Sequence, residues 1–389
     1  MSSGDPTKIC HVIVGLEPGG AERTLQRLVA SHSRDHRFQH SIVSLTKLGP
    51  VGAAIRESGI DVVALGTRAL SEAPLTIWRL RGEIQKRDPD IVQCWMYHGD
   101  LVGGLAARLA GKTRVIWGIH TTDMMRGTAR PTALVRRLCA LLSSTVPWVI
   151  VCVAEAAREA HAAIGYDRAR MVVIPNGFDL DALRRSEQGR RALRAELGFT
   201  ESTIVVGCVA RYNYYKDYGN LVRAAARVCR SFPDARFLLV GGGVDRGNRE
   251  LVALLDETRC AGQFTLLGAR DDIVDCLSAM DIFCLPSRSE AFPIAVGEAM
   301  CVGLPCVVTN VGDSAVLVGD CGVVVPKENP DLLAAALLKL LRMTPAERTA
   351  MGAGARERVA TRFSMALTRR RFEDLYLAAK DRQADGATN

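Results

Sequence analysis

The sequence lacks the marks of several common protein classes. Its twelve cysteines include no C-x-x-C pair, and Cys301 and Cys306 have no matching His or Cys pair, so neither disulfides nor structural zinc are expected. The N-terminus has no charged-then-apolar signal pattern. The longest strongly apolar run, Val146 to Ala154, contains Pro147 and is too short to span a bilayer. These absences predict a cytoplasmic protein that lies, at most, peripherally on the inner face of the cytoplasmic membrane.

Motifs for dinucleotides, metals and nucleic acids are also missing. G-x-G-x-x-G does not occur, so the dinucleotide fingerprint is absent. D-x-D, a divalent-ion motif, occurs only as Asp88-Pro-Asp90 and Asp179-Leu-Asp181, both at a helix or linker edge. No basic groove interleaved with aromatic residues is visible. The sequence therefore predicts no metal, no resident cofactor and no nucleic-acid partner.

The chain does contain enough apolar sequence for two domains. At 389 residues it exceeds one ordinary domain, and its 48% apolar content supports large buried cores. The net charge of +8 is uneven: residues 1–180 hold 22 Lys and Arg against 16 Asp and Glu, and the remainder holds 28 against 26. The excess of positive charge therefore lies in the first half.

Part of that charge is clustered beside leucines. The basic cluster consists of Arg126, Arg130, Arg136 and Arg137, next to Leu134, Leu138, Leu141 and Leu142. Such a patch fits anionic lipid headgroups, each charge contributing about 1 kcal/mol. A solvated helix face with arginines explains the same pattern. An anionic membrane surface as partner and an ordinary surface helix both stay open.

Short apolar runs alternate with helical segments along the whole chain. The predicted strands of the first half are Ile9–Val14, His40–Leu45, Asp61–Leu65, Ile91–Cys94, Arg114–Trp117, Trp148–Val153 and Met171–Ile174. Those of the second half are Ile204–Val209, Arg236–Val240, Phe264–Leu267, Ile282–Leu285, Cys306–Thr309 and Gly322–Val325. Repeated βα units predict parallel sheets with helices on both faces.

The break between the two series predicts the domain organisation. The first series ends at Pro175-Asn-Gly177, and the segment Asp179 to Gly198 is predicted to be a charged helical connection. The fold class is therefore α/β, with two Rossmann-like doubly wound domains facing across a cleft. We place them at residues 1–180 and 181–362, followed at 363–389 by a helix and a polar tail. Three helices are predicted near the C-terminus, at Pro330–Arg342, Pro345–Thr361 and Ser364–Lys380, which is more than the second sheet needs.

The most informative stretch runs from Arg288 to Met300. It follows the apolar run Asp281 to Pro286 and opens a helix, so Glu290 is predicted on the loop and Glu298 about two turns into the helix. The backbone N–H groups of Phe292 to Ala295 suit an anion. Open α/β sheets bind ligands at this edge. Two carboxylates beside a row of amides suit a phosphorylated sugar.

Two cations follow the first strand of the second half. Arg211 and Lys216 stand on a loop at the carboxyl end of that strand. Arginine binds a diphosphate bidentately and lysine binds it as a point charge. Gly241, in a glycine triplet, and the pair Gly19-Gly20 each follow a strand, where backbone amides can approach a phosphate. By itself, a glycine triplet is more often an ordinary flexible turn than a phosphate-binding loop.

Together these residues carry a resemblance to a known family. Glu290 and Glu298 stand in the E-x7-E spacing, and the sequence resembles retaining glycosyltransferases of family 4, in particular members that build polysaccharide or lipopolysaccharide. Arg211 and Lys216 match the family pattern closely, and the resemblance covers nearly the whole chain. It implies the GT-B fold, with a C-terminal helix that crosses back to the first domain.

The resemblance also implies a role for individual residues around the donor. Glu298 is expected to bind the ribose, Arg211 and Lys216 the diphosphate, and Glu290 with the stretch Phe292, Pro293 and Ile294 the donor sugar. Gly241 is expected in the nucleotide-binding loop, and Arg270 in the loop that contacts the base. Gly19 and Gly20 are expected to close the donor site from the other domain. With two cations present, the diphosphate is expected to need no metal ion.

Two further loops are less well defined by the resemblance. His120 stands at the family's place for a sugar contact, but relatives often carry an Arg-His or His-Asp pair there, so His120 and Thr121 are both candidates. The segment Trp95 to Asp100 is predicted to be a second aromatic–histidine loop, either a sugar or acceptor contact or simple loop packing. Pro175 to Asp179 matches the family's hinge element.

The resemblance implies an enzyme of the hexosyltransferase class. It would move a hexose or an N-acetylhexosamine from a UDP-, GDP- or ADP-sugar to a glycan or a polyprenyl-lipid-linked acceptor. Attack is expected on the front face, with the leaving phosphate taking the acceptor's proton. Two alternatives stay open: a sugar-nucleotide 2-epimerase of the same fold, and a non-catalytic partner subunit that binds nucleotide sugars.

Overall fold

The computed structural model describes residues 5–33, 35–68, 72–122 and 130–386, except the side chains at 130 and 382–386. The chain divides into two compact units. The first unit is Met1–Gly177 together with Met365–Asn389, and the second unit is Phe178–Ser364.

A seven-stranded parallel sheet forms the centre of the first unit. Its strands are β1 (Thr7–Ile13), β2 (Phe38–Ser44), β3 (Asp61–Ala64), β4 (Ile91–Trp95), β5 (Val115–Ile119), β6 (Val149–Cys152) and β7 (Met171–Val173), in the order β3-β2-β1-β4-β5-β6-β7. Its helices are α1 (Gly20–Ser31), α2 (Gly49–Glu57), α3 (Ala73–Arg87), α4 (Met96–Leu109), α5 (Arg130–Leu142) and α6 (Glu155–Ala162). Every residue of β4 and β5 is buried, as expected where helices cover both faces of a parallel sheet.

A six-stranded parallel sheet forms the centre of the second unit. Its strands are β8 (Val205–Val209), β9 (Arg236–Val240), β10 (Phe264–Leu266), β11 (Ile282–Leu285), β12 (Cys306–Thr309) and β13 (Gly322–Val325), in the order β10-β9-β8-β11-β12-β13. Its helices are α7 (Glu187–Glu196), α8 (Tyr218–Ser231), α9 (Arg249–Asp256), α10 (Ile273–Ser278), α11 (Ile294–Val302), α12 (Ser314–Val318), α13 (Pro330–Arg342) and α14 (Pro345–Arg362). The central strand β8 lies between β9 and β11, which places the loops after these strands side by side.

The last helix, α15 (Met365–Gly386), returns to the first unit. Tyr376 is buried there and its hydroxyl donates a hydrogen bond to Gln93 Oε1 at 2.5 Å, on β4. Phe372 joins the same core. Arg369 donates to the Ser31 carbonyl at 2.7 Å, at the end of α1. The predicted return of the C-terminal helix is therefore confirmed.

The two doubly wound sheets are confirmed, and two local predictions are wrong. The predicted loop Trp95 to Asp100 is the start of α4, which follows β4 directly at Met96. Met96 makes that turn with φ of 66°, a conformation rare for a residue other than glycine, so the sequence gives no sign of it. In the predicted helical connection, only Glu187–Glu196 is helical. Asp179 instead accepts hydrogen bonds from the amides of Asp181 and Ala182, which favours a turn.

Candidate active site

Three loops meet at the carboxyl edge of the second sheet. The Tyr212 amide, after β8, donates to the Gly242 carbonyl at 2.9 Å, and the Gly241 amide donates to the Gly268 carbonyl at 2.7 Å. Gly241 has φ of 149°, and a Cβ atom there would lie 2.0 Å from the Ala210 carbonyl oxygen. Only glycine fits this position. The predicted glycine loop is thus a close junction between the loops after β8, β9 and β10.

Lys216 and Glu290 form an ion pair at this edge. Lys216 Nζ lies 2.5 Å from Glu290 Oε1, and the lysine and glutamate side chains are 25% and 10% exposed. The hydroxyl of Ser287, itself fully buried, donates to the same carboxylate oxygen at 2.6 Å. The structure therefore brings together two of the predicted site residues, 74 positions apart in the chain. The contact of Ser287 could not be predicted, since a serine three residues before a glutamate carries no distinctive signal.

The turn that presents Lys216 is built by its neighbours. Residues Tyr214–Lys216 form a single 3-10 turn, and the Asn213 side chain accepts hydrogen bonds from the amides of Tyr215 and Lys216 at 3.0 and 3.2 Å. Asp217 follows in a left-handed conformation, with φ of 46°, and caps α8 by accepting from the Asn220 amide. The lysine is thus fixed at the end of a short, well-defined turn.

Arg211 occupies the loop after β8 and is exposed. A Cβ atom at Gly242 would lie 3.8 Å from Arg211 Cγ, so the arginine stem runs over the glycine loop. Within the described ranges Arg211 forms no ion pair, whereas Lys216 is paired with Glu290. An exposed guanidinium at this edge suits an anion, because its rigid fork matches two phosphate oxygens.

Glu298 lies in the second turn of α11 and is 6% exposed. The helix begins at Ile294, one residue later than predicted, because Pro293 is its cap. Proline has no amide hydrogen, so the donors at this helix start are the amides of Phe292, Ile294 and Ala295 and not an unbroken row. The Phe292 ring is buried and stacks with Phe178, which leaves its backbone as the group available to a ligand.

The side chain of Arg270 is already engaged. It forms a two-point ion pair with Asp272, with distances of 2.7 and 2.5 Å. The loop follows β10, next to Gly268, whose φ is 67°. A base contact by this loop therefore rests on its backbone groups. The predicted role of Arg270 stays a prediction.

The predicted residues of the first unit follow β1 and β5. Gly19 is the N-cap of α1 and Gly20 its first residue, so the amides of this helix start have no carbonyl partner within the helix. The His120 ring stacks on buried Trp95 at 5.0 Å, and burial lowers the pKa of His120 to about 4, so it is neutral at pH 7. Thr121 differs: its hydroxyl lies 2.8 Å from Tyr97 Oη, which also contacts His161. The roles of Gly19, Gly20 and His120 stay predictions.

The described residues contain neither a metal-binding cluster nor a helix that could cross a membrane. In the described ranges, no group of three or more His, Cys, Asp or Glu side chains is arranged to hold a metal ion. Across the same ranges, no helix has both the length and the apolar composition needed to cross a membrane. Metal independence stays a prediction.

Comparison with known proteins places the chain in a family. The model described as "Glycosyltransferase Family 4" matches residues 18–182, and the model described as "Glycosyl transferases group 1" matches residues 203–343. The UDP-Gal:alpha-D-GlcNAc-diphosphoundecaprenol alpha-1,3-galactosyltransferase of Escherichia coli is 28% identical over 60% of this chain and 61% of its own length. The D-inositol 3-phosphate glycosyltransferase of Kineococcus radiotolerans is 33% identical over 57% of this chain and 55% of its own length.

A solved structure shares the fold along the whole chain. Anabaena HepE in complex with UDP-glucose superposes with a TM-score of 0.84 at 20% identity, covering 95% of this chain and 99% of HepE. The family models fall separately on the first and second sheets described above. The chain therefore belongs to the family 4 glycosyltransferases and has the GT-B fold.

Proposed function

We propose that this glycosyltransferase moves a hexose or an N-acetylhexosamine, with retention, from a nucleoside-diphosphate sugar to a glycan or polyprenyl-lipid-linked acceptor. The observation that carries the proposal is the Lys216–Glu290 pair at the carboxyl edge of the second sheet, beside exposed Arg211. Relatives support the substrate classes: HepE binds UDP-glucose, and the Escherichia coli relative is named for a diphosphoundecaprenol-linked acceptor.

The two cations supply the chemistry that a metal ion supplies elsewhere. As the glycosidic bond breaks, negative charge grows on the leaving diphosphate, and fixed positive charges stabilise that state more than the ground state. Lys216 is held on a short turn and Arg211 lies over the glycine loop, so both come from the edge where the phosphates are expected. The proposed reaction therefore needs no divalent ion.

Retention is proposed to occur by front-face attack. Glu290, the carboxylate nearest the expected sugar, shares one oxygen between Lys216 and Ser287. The family resemblance implies transfer without a carboxylate nucleophile, so no covalent glycosyl-enzyme is proposed. The leaving phosphate is proposed to take the proton of the acceptor hydroxyl. Glu290 then orients the donor sugar through its hydroxyl groups.

The function is tested with a panel of UDP-, GDP- and ADP-sugars and lipid-linked acceptors, with and without EDTA. The expected result is nucleotide release with a glycoside product that keeps the donor's anomeric configuration by NMR, unchanged by EDTA. Release of nucleotide without a glycoside would identify an epimerase. Tight binding without release would identify a non-catalytic subunit. Loss of transfer in EDTA, or an inverted product, contradicts the corresponding part of the proposal.

Glu290 is expected to compete with the nucleotide for Lys216. In the ligand-free chain the lysine already has a carboxylate at 2.5 Å, so a diphosphate must displace it. Glu290→Gln keeps the shape and removes the charge. We expect the variant to bind free nucleoside diphosphate about fivefold more tightly, corresponding to about 1 kcal/mol for a part-exposed pair. Transfer by the same variant should fall, since the sugar loses its carboxylate. Calorimetry and initial rates measure the two effects.

The matched control is Glu357→Gln, an exposed glutamate on α14 of the same unit. It should change neither the affinity nor the rate. Weaker nucleotide binding by Glu290→Gln would show that the carboxylate assists the diphosphate site instead of competing with it.

The first unit carries an exposed apolar face on three neighbouring helices. On α5, Leu134, Leu138 and Leu141 are 59%, 38% and 76% exposed at helical spacing. On α3, Trp78 is 62% exposed, and Arg81 stacks on it at 5.1 Å. Arg81 also donates to the Leu109 carbonyl at 3.0 Å, which ties α3 to the end of α4.

The structure describes the side chains of two arginines of the predicted basic cluster. Arg137 is exposed and Arg136 is half-buried. Arg126 lies outside the described residues, as does the side chain of Arg130. Exposed leucines, a tryptophan and an arginine on neighbouring helices suit an anionic membrane. We therefore propose that this face docks the enzyme beside a lipid-linked acceptor.

Leu141→Glu tests the docking proposal. It places a negative charge at the most exposed of the three α5 leucines, so binding to vesicles containing phosphatidylglycerol should weaken at least about tenfold. Leu332→Glu, at an exposed leucine on α13 of the second unit, is the control. Co-sedimentation with anionic and with purely zwitterionic vesicles measures both. Equal binding by the two variants would remove the face from membrane contact.

A further inference from the structure

Arg288 joins the segment that carries Lys216 to the loop that carries Glu290. Its backbone amide donates to the Tyr215 carbonyl at 2.7 Å, and its Nη1 donates to the Tyr214 carbonyl at 3.0 Å. Its Nη2 lies 2.8 Å from Asp217 Oδ1. Of the four residues 214–217, three are therefore bonded to Arg288, and the fourth is Lys216 itself.

The partners of Arg288 stand on strained backbone. Asp217 has φ of 46° and Glu328 has φ of 56°, both in the left-handed region that residues other than glycine rarely adopt. Arg288 Nε lies 3.0 Å from Glu328 Oε1, so one guanidinium pairs with both carboxylates. Such conformations persist where surrounding contacts over-determine them. The arrangement thus holds the lysine turn at a conformational cost, as is usual at functional sites.

The geometry requires an arginine. The guanidinium reaches a carbonyl and two carboxylates, and its Cζ atom lies 4.4 Å from the centre of the Tyr214 ring. A lysine ammonium is a single charge without a planar fork and does not reproduce this set of contacts. Asp217 is buried, so the charge of Arg288 also compensates a carboxylate that has little access to water.

We infer that Arg288 is a positioning residue for sugar transfer and that it acts through Lys216. The inference rests on the proposed function, because it assigns Lys216 to the donor diphosphate. The lysine side chain is long and its turn is short, so its ammonium meets the phosphate only if the backbone of the turn is fixed. Arg288 supplies that fixation from a point two residues before Glu290, the lysine's partner in the ligand-free chain.

A double-mutant cycle between Arg288 and Lys216 tests the inference. The variants are Arg288→Ala, Lys216→Ala and the pair, each assayed for kcat and for the KM of the donor that the panel identifies. Arg288→Ala alone is expected to lower kcat about 10- to 100-fold, since a displacement of about 1 Å has effects of this size. In the Lys216→Ala background the same change should cost less than about threefold, because no lysine remains to be positioned.

A purely structural role predicts a different pattern. Loss of folded enzyme lowers the rate by the same factor in both backgrounds, so the effects of the two substitutions would multiply. Active protein is normalised by titration with the nucleoside diphosphate, and thermal melts are recorded for every variant. Arg227→Ala is the control, since Arg227 pairs with exposed Asp331 on the surface of the same unit.

Arg288→Lys covers the case in which Arg288→Ala does not fold. It keeps a positive charge beside Asp217 and loses the fork, and we expect an intermediate fall in kcat that again disappears in the Lys216→Ala background. Multiplying effects, or wild-type kinetics in both Arg288 variants, would overturn the inference. Absence of donor binding and transfer in the wild-type protein would instead overturn the proposed function. The two failures are therefore distinguishable.

Discussion

Replacing Lys216 with alanine is expected to lower kcat by about 10²- to 10³-fold, the usual effect of removing one preorganised group that stabilises developing charge. The lysine is the cation held most rigidly at the candidate site, by its turn and by the pair with Glu290. Its proposed contact with the leaving diphosphate would strengthen as the bond breaks, so kcat should fall more than the donor KM rises. Initial rates with a labelled donor measure both quantities.

The fold should survive the substitution. Lys216 lies at the end of a turn, and its side chain is not part of either core. Lys339→Ala, at an exposed lysine on α13, is the matched control and should retain full activity. Near-normal turnover by Lys216→Ala with an unchanged melting temperature would remove the lysine from the mechanism, and the pair with Glu290 would then be structural only.

The two sheets could be predicted because parallel strands buried on both faces appear as continuous apolar runs. In the second unit the predicted bounds of β9, β11, β12 and β13 coincide with those observed. The edge on which Lys216 and Glu290 lie follows from the same pattern, since loops at the carboxyl ends of neighbouring parallel strands adjoin. The observed pair extends that prediction from a shared edge to a direct contact.

The contacts around that pair could not be predicted. Arg288 and Ser287 each precede Glu290 closely, and nothing in their types or spacing distinguishes a residue that holds a turn from one that faces solvent. The positive φ angles of Met96, Asp217 and Glu328 are equally invisible, because the sequence signals such conformations mainly through glycine. These features arise from side-chain packing between distant segments, which a local pattern does not encode.

The first unit also contains a buried row of histidines that sequence analysis did not detect. His11 Nε2 lies 2.9 Å from His40 Nδ1, and His40 Nε2 lies 3.2 Å from His32 Nδ1. The indole N–H of Trp95 donates to His11 Nδ1 at 3.2 Å. An indole can only donate, so His11 Nδ1 is the acceptor and His11 carries its hydrogen on Nε2. By the same reasoning His40 accepts at Nδ1 and donates from Nε2, and His32 accepts at Nδ1 and carries its hydrogen on Nε2. At the far end, His32 Nε2 lies 3.4 Å from Glu373 Oε1 on α15.

This arrangement disfavours protonation of the row. Adding a proton to His11 or His40 would set two N–H groups against each other, and burial would leave the charge poorly solvated. Burial lowers the pKa of His11 well below its usual value and that of His40 to about 3, with neighbouring histidines adding to both effects. Burial also lowers the pKa of His32, where Arg369 acts in the same direction and Glu373 and Asp35 oppose it.

Acidification is therefore expected to destabilise the first unit selectively. Above pH 6.5 the histidines are neutral whether the chain is folded or unfolded, and they have no effect on the pH dependence. Below pH 6.5 the unfolded chain binds protons that the folded row does not, so stability falls by about 1.4 kcal/mol per pH unit for each such histidine until its folded pKa is reached. His11 and His40 alone should remove about 3 to 4 kcal/mol between pH 7 and pH 5.

The distribution of residues makes the effect measurable within the intact chain. All seven histidines lie between residues 11 and 161, and all four tryptophans lie between 78 and 148, so tryptophan fluorescence reports on the unit that contains the row. In urea titrations at pH 7, 6 and 5, the midpoint of the fluorescence transition should fall steeply with pH. Peptides from residues 178–364 contain no histidine, so their hydrogen exchange should change much less over the same pH range.

His40→Gln breaks the row in the middle, whereas His36→Gln alters an exposed histidine and serves as the control. The first variant should lose stability at pH 7 and depend less on pH, because one proton-linked group is gone. The second should keep the wild-type slope. Asp and Glu residues occur in both units. Equal acid sensitivity of the two units would therefore mean that these carboxylates, and not the histidine row, determine the loss of stability at low pH.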